Sequence, residues 1–245
     1  MNLKVALVTG ASKGIGAAVA KQLAESHYVI VNYNNSKTDA ENVLGDIQLC
    51  GGEGMLFKGD ISSLPQMQEL FSLIDSNFQQ LDVLVNCGGI MHDALVEDLE
   101  QEDWDKVLNI NLKGVFICCK LAIPLLRRSN MGRIINISSQ AAFTGSIEHS
   151  HYAASKAGIL GFSYSLAKEL GKDGITVNVV SPGRITTDML ITRKSNREEE
   201  WLNSTPLGRL GQPEEIASAV CYLASSSAAY ITGANLNVNG GLLMG

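Results

Sequence analysis

The chain opens with a short apolar run, Val5-Ala6-Leu7-Val8, that ends in Thr9-Gly10-Ala11-Ser12-Lys13-Gly14-Ile15-Gly16. A helical pattern begins inside this turn and continues over 15–25. Three glycines between a strand and a helix constrain the fold strongly. They let the backbone turn tightly and approach a ligand closely, and they aim the helix's unpaired N–H groups and positive dipole end at it. A pyrophosphate suits such a turn, and the strand–turn–helix context it requires is present. The residues expected to hold it are Gly10, Ser12, Lys13, Gly14, Ile15 and Gly16.

The same alternation continues along the chain. Apolar runs at Val29-Ile30-Val31, Met55-Leu56-Phe57, 82–86, 133–137, 176–180 and 235–238 read as strands. Helical patterns cover 38–49, 64–78, 104–128 with a bend near Gly114, and 152–170, and another helix starts at Gly211-Gln212-Pro213-Glu214-Glu215. Short apolar runs alternating with helices predict an α/β fold: a doubly wound, seven-stranded parallel sheet of Rossmann type, with helices on both faces. No repeat, linker or composition break divides the chain, so 1–245 is expected to be a single domain. The polar, charged segment 187–206 breaks the pattern. A long irregular insertion in a compact domain reads as a lid over a substrate.

Composition excludes several classes. A formal net charge of −6, with basic residues only in short clusters such as Arg127-Arg128 and Arg193-Lys194, leaves no stripe for nucleic acid. No apolar run is long enough to suggest a membrane span, and the N-terminus enters a strand without a secretory leader. Cys50, Cys87, Cys118, Cys119 and Cys221 form no Cys-x-x-Cys pair. Free thiols in a reducing cytoplasm are therefore expected, and no metal site.

Tyr152 and Lys156 stand four residues apart in Tyr-Ala-Ala-Ser-Lys, with Ser139 thirteen residues before the tyrosine. On a helix, residues i and i+4 share a face. An ammonium beside a phenol favours the phenolate and lowers a pKa otherwise near 10. The Ser139 hydroxyl would hold a substrate oxygen against that phenol.

The ordered motifs resemble the short-chain dehydrogenase/reductase family over the whole chain. They are Thr9-Gly-x-x-x-Gly-x-Gly, Asn86-Cys87-Gly88-Gly89, Asn111, Ser139, Tyr152 and Lys156, Ser181-Pro182-Gly183, Tyr230-Ile231-Thr232-Gly233 and Val238-Asn239-Gly240-Gly241. The resemblance implies hydride transfer between a nicotinamide and a carbonyl or secondary alcohol. Asn111, Ser139, Tyr152 and Lys156 would be catalytic, with Asn111 anchoring a water that reloads Tyr152 through Lys156. It also implies cofactor contacts at Asn34, at Asp60 and Ile61, at Asn86 and Gly88, at Tyr152 and Lys156, and at Pro182, Gly183, Ile185 and Thr187. The second strand ends Asn32-Tyr33-Asn34-Asn35-Ser36, without a carboxylate to repel a 2′-phosphate, and Lys13 stands in the glycine turn. Both favour NADP(H), with NAD(H) as the alternative.

Several stretches are most similar to bacterial 3-oxoacyl carrier-protein reductases, which implies a 3-oxoacyl thioester substrate, a place in fatty-acid synthesis and a cytoplasmic homotetramer. The tetramer would use helix 104–128, the helix after Tyr152 and the C-terminal strand, and the apolar Leu242-Leu243-Met244 would be buried there or against its own subunit. Asn130 and Asp173 replace basic residues expected to meet an acidic carrier protein, although Arg127, Arg128 and Lys172 lie close by. Met91, Gln140, His149 and Met189 are the candidate substrate residues, among active-site loops that also carry His92 and His151. The alternatives are a reductase or dehydrogenase of a small hydroxylated compound (a sugar, polyol or other alcohol) and a non-catalytic nucleotide-binding relative.

Overall fold

The computed structural model describes residues 4–191 and 198–244. One parallel sheet runs through it in the order β3-β2-β1-β4-β5-β6-β7. Its strands are β1 Val5–Thr9, β2 Tyr28–Tyr33, β3 Gly54–Lys58, β4 Val83–Asn86, β5 Arg133–Ile137, β6 Thr176–Pro182 and β7 Asn235–Val238. Alternation along a strand sends neighbouring side chains to opposite faces. Ala6 and Val8 pack on one side with helices α1 (Gly14–Leu23), α2 (Lys37–Leu49) and α10 (Pro213–Ala224). Val5 and Leu7 pack on the other with α3 (Leu64–Phe78), α5 (Gly114–Leu126) and α7 (Ser150–Leu170). Burial on both faces explains why the central strands read as unbroken apolar runs. The remaining helices are α4 Gln101–Leu108, α6 Ala141–Thr144, α8 Asp188–Ile191 and α9 Glu198–Ser204.

Strand order reverses between β1 and β4, whose last residues Thr9 and Asn86 lie side by side. A crevice opens at such a switch point, outside the carboxyl ends of the strands. All seven expected strands are present.

Three expectations need correction. The helix expected over 104–128 begins at Gln101, passes through a π-helical turn at Asn109–Lys113 and resumes as α5. Gly114, where the bend was expected, directly follows that turn and admits Ile61: a β-carbon there would lie 2.8 Å from Ile61 Cγ1. The expectation that nothing is long and apolar enough to cross a membrane also fails. Gln101–Leu126 meets that test with a mean hydropathy of 1.5. Its apolarity serves the core instead, because Cys118, Cys119, Ala122 and Leu126 are fully buried in the cluster with β4 and β5. Finally, the expected lid is not wholly irregular. It contains α8 and α9, while 192–197 lie outside the described residues. Helix α9 is held by one buried aromatic, Trp201, on whose carbonyl the Arg184 guanidinium donates at 3.0 Å.

Candidate active site

A cleft of about 1470 Å³ lies over the carboxyl ends of the strands. At its base the glycine turn has no room for side chains. Gly10 and Gly14 adopt φ of +61° and +52°. A β-carbon on Gly10 would sit 2.5 Å from Gly88 Cα, and one on Gly16 would overlap the Gly10 carbonyl oxygen. Thr9 stitches the turn to the loop after β4: its Oγ1 accepts from the N–H of Cys87 at 3.1 Å and of Gly88 at 3.2 Å. Ser12, Lys13, Gly14, Ile15 and Gly16 line the cleft as α1 begins. A cradle that any β-carbon would fill, facing a helix N-terminus, fits a pyrophosphate.

Along the wall lie Asn34, Asp60, Ile61 and Gly88. The stretch Asn34-Asn35-Ser36 brings no carboxylate. Lys13 Nζ is shared between Asp39 Oδ2 at 3.2 Å and Asp188 Oδ2 at 3.6 Å, and these partners hold its pKa above the usual lysine value. Asp60 Oδ1 caps its own turn, accepting from Ser62 N at 2.8 Å and Ser62 Oγ at 2.7 Å. Pro182, Gly183, Ile185 and Thr187 form the opposite wall. Gly183 packs so closely on the loop after β7 that a β-carbon would lie 2.7 Å from Asn239 Cα.

Asn86 is placed differently from the expected cofactor contact. It is buried beneath the cleft, where its Nδ2 donates to Asn136 Oδ1 at 2.8 Å. As the last residue of β4, it points its side chain into the layer between sheet and helices.

Ser139, Tyr152 and Lys156 converge on the cleft. Helix α7 carries the last two, with Lys156 Nζ 5.6 Å from the Tyr152 ring centre. The ammonium donates to the Ile137 carbonyl at 2.9 Å, and Ser138 Oγ donates to the Lys156 carbonyl at 2.8 Å, tying α7 to the end of β5. The expected lowering of the phenol pKa by Lys156 is not found. Burial raises the Tyr152 pKa, partly offset by a hydrogen bond from Ser139. Burial also lowers Lys156 to about 8. The physical reason is desolvation, which penalises the charged form of each group.

This gives a stability prediction. A lysine titrating at about 8 in the fold and near 10.5 unfolded binds more protons when unfolded between those values. Its penalty is complete below pH 8 and is relieved as pH climbs toward 10.5. Lys156→Met is therefore expected to raise the melting temperature at pH 7 by several degrees while abolishing turnover. Thermal melts at pH 7 and pH 10 check this, since the gain should shrink at the higher pH.

Asn111 sits in the π-turn, fully buried. Its carboxamide braces the loop after β4, accepting from Ile90 N at 2.8 Å and donating to Ile90 O at 2.9 Å and Ser155 Oγ at 3.2 Å. Both polar ends of the side chain are thus committed to the protein itself.

Of the candidate substrate residues, Met91, Gln140 and His149 line the cleft, and the Met189 side chain lies outside the described residues. His149 is no surface residue; it is 6% exposed and bonded at both ring nitrogens. Neither nitrogen of the fully buried His151 has a hydrogen-bond partner among the described residues. Among the described residues no cluster of histidine, cysteine or acidic side chains could hold a metal ion, and the five cysteines are free. The basic residues near Asn130 are already engaged. Arg127 Nε lies 2.8 Å from Asp173 Oδ2, and Arg128 Nη1 lies 2.6 Å from Asp75 Oδ1.

Thr9, Ser138, Ser155 and Trp201 are positioning residues beyond the expected site residues. Only Thr9 had a signal, its place immediately before the first glycine.

A family model described as enoyl-(acyl carrier protein) reductase matches residues 10–243. The chain is 43% identical over 242 residues to a 3-oxoacyl-(acyl-carrier-protein) reductase of Staphylococcus aureus, covering 98% of each chain. It is 44% identical over 246 residues to that of Synechocystis, covering 100% of this chain and 98% of the relative. It is 41% identical over 249 residues to that of Vibrio cholerae, covering both chains fully.

Proposed function

Because the chain belongs to the short-chain dehydrogenase/reductase family of oxidoreductases, we propose that it reduces the 3-oxo group of an acyl thioester with NADP(H). The observation that carries this reading is the convergence of Ser139, Tyr152 and Lys156 on a cleft floored by the glycine cradle. The nicotinamide, when bound, supplies the hydride. The residues that would hold the cofactor are the turn from Gly10 to Gly16, Asn34, Asp60, Ile61, Gly88, Pro182, Gly183, Ile185 and Thr187. As negative charge develops on the carbonyl oxygen, Ser139 donates a hydrogen bond and Tyr152 donates its proton. A phenol pKa raised by burial keeps that acid loaded through neutral pH. Asn111 holds the loop that faces it.

The absence of a carboxylate in Asn34-Asn35-Ser36, together with Lys13, supports NADP(H) over NAD(H). Lys13 must then exchange Asp39 or Asp188 for the 2′-phosphate. Lys13→Ala is expected to weaken NADPH binding about tenfold, the order of a lost charge-assisted contact, and to leave NADH nearly unchanged. Asp39→Asn is expected to tighten NADPH. Titration of cofactor fluorescence measures both, and equal losses for the two cofactors would remove Lys13 from the phosphate site.

A second reading is favoured by one observation. With Arg127 and Arg128 paired to Asp173 and Asp75, the pull on an acidic carrier protein is weakened there, although Lys172 is exposed beside them. Coenzyme A thioesters, or a small hydroxylated carbonyl compound, then become the better substrates. NADPH oxidation with acetoacetyl-CoA, a 3-oxoacyl carrier-protein substrate, an enoyl thioester and a panel of hydroxylated ketones separates these. Turnover confined to the ketones would overturn the thioester reading, and turnover confined to the enoyl thioester would move the chemistry to a carbon–carbon double bond.

The reading as a 3-oxoacyl thioester reductase makes the enzyme a homotetramer in a cytoplasm whose reducing conditions suit its free thiols. Helices α4, α5 and α7 expose Trp104, Phe116 and Tyr164 at 39%, 46% and 40%. Light scattering is expected to report four copies of the 26.2 kDa chain, and Phe116→Asp a smaller species.

A further inference from the structure

Two loops meet along the cleft. One follows β4 and carries Met91, His92 and Asp93; the other runs from Gly145 to His149, directly before α7. They are joined at two points. The Glu148 carbonyl accepts from Ala94 N at 2.9 Å. His149 Nε2 lies 2.7 Å from Asp93 Oδ1, and its Nδ1 lies 2.9 Å from Ser146 Oγ.

The setting suggests more than a satisfied polar residue. Glu148 adopts φ +66°, a left-handed conformation that side chains rarely take, and such strain persists only where surrounding contacts impose it. The His149 carbonyl accepts the first helical bond, from Ala153 N at 2.8 Å, so this residue caps the helix that carries Tyr152 three positions later. A hydrogen bond to a carboxylate is about twice as strong as a neutral one. This one spans 56 residues of sequence, from the cleft wall to the cap of the catalytic helix.

We propose that His149 is a positioning residue. Together with Asp93 it forms a clasp that fixes the substrate-facing wall at Met91 and His92 relative to the start of α7. The clasp thereby sets the angle at which a substrate carbonyl meets Tyr152. The proposal rests on the reading of the site as a carbonyl reductase, and the clasp should leave the glycine cradle untouched, because that cradle is built from β1, α1 and the Gly88 turn.

The test is a double-mutant cycle with His149→Leu and Asp93→Leu, plus His149→Gln as the conservative variant that keeps an amide donor. Each disruptive variant is expected to lower kcat/KM about ten- to a hundredfold, the scale of a small misplacement of reacting groups. The double variant should be no worse than the worse single one, and the glutamine should restore most of the loss. NADPH dissociation constants and melting temperatures should stay near wild type. Additive effects overturn the clasp. So does a glutamine no better than leucine, or a loss that follows the melting temperature. A wild-type enzyme that reduces no thioester overturns the substrate reading alone; the cycle is then read on the carbonyl compound it does reduce.

Discussion

Tyr152→Phe is expected to lower turnover by about a thousandfold, within the range for removal of a positioned general acid, while NADPH still binds. The change removes one oxygen and keeps the ring that packs beside Lys156 and faces the cleft. Stability should therefore hold. Desolvation raises the Tyr152 pKa, so the group enters the reaction protonated and can hand its proton to the developing oxyanion. Ser139 can donate a hydrogen bond but is a much weaker acid, and so cannot replace it. Steady-state kinetics beside a cofactor titration measures both halves. Retention of a substantial fraction of kcat would remove Tyr152 from proton transfer.

The second large effect belongs to Gly10→Ala. The added methyl must occupy φ +61°, which costs a side-chain-bearing residue about 1–2 kcal/mol. It must also sit 2.5 Å from Gly88 Cα and 2.8 Å from Gly88 N, both backbone atoms. No flexible side chain is there to yield, so overpacking adds about 1–3 kcal/mol. Relief requires the turn to part from the loop after β4, which dismantles the cradle. NADPH affinity is expected to fall by at least about a hundredfold, the equivalent of about 3 kcal/mol, with a lowered melting temperature. Gly45→Ala is the control. A β-carbon there meets nothing within 4 Å inside α2, so helix propensity predicts a gain of about 0.5–1 kcal/mol. Loss of stability in both variants alike would contradict the steric account.

The sheet was legible because its strands are buried on both faces, and such strands read as apolar runs between turns. β5 and β7 begin and end where the pattern placed them. The glycine turn was legible for a related reason: close backbone approach leaves glycine as the only tolerated residue. The ends of the long helix were not legible. Gly114 marked the place of the π-turn at Asn109–Lys113 but not its winding, and the extra first turn at Gln101 is polar. Helix α9 escaped because it buries a single aromatic, Trp201, rather than a stripe.

Within the site, identity was legible and environment was not. The spacing of Tyr152 and Lys156 foretold their proximity but not their desolvation, which decides both pKa directions. Asn86 belonged to a recognisable motif, yet alternation along β4 turns its side chain into the interior. The pairing of His149 with Asp93 arises only when distant loops meet. For the same reason the charges of Arg127 and Arg128 looked available in sequence and are spent in the fold.

The most direct test of the account supplies the wild-type protein with NADPH deuterated at C4, on one face and then the other, together with acetoacetyl-CoA, and weighs the product. The account predicts 3-hydroxybutyryl-CoA carrying one deuterium at C3 from one of the two isotopomers, formed in step with NADPH consumed and not formed by Tyr152→Phe. NADPH left unconsumed, or deuterium placed at C2 or nowhere in the product, would contradict it.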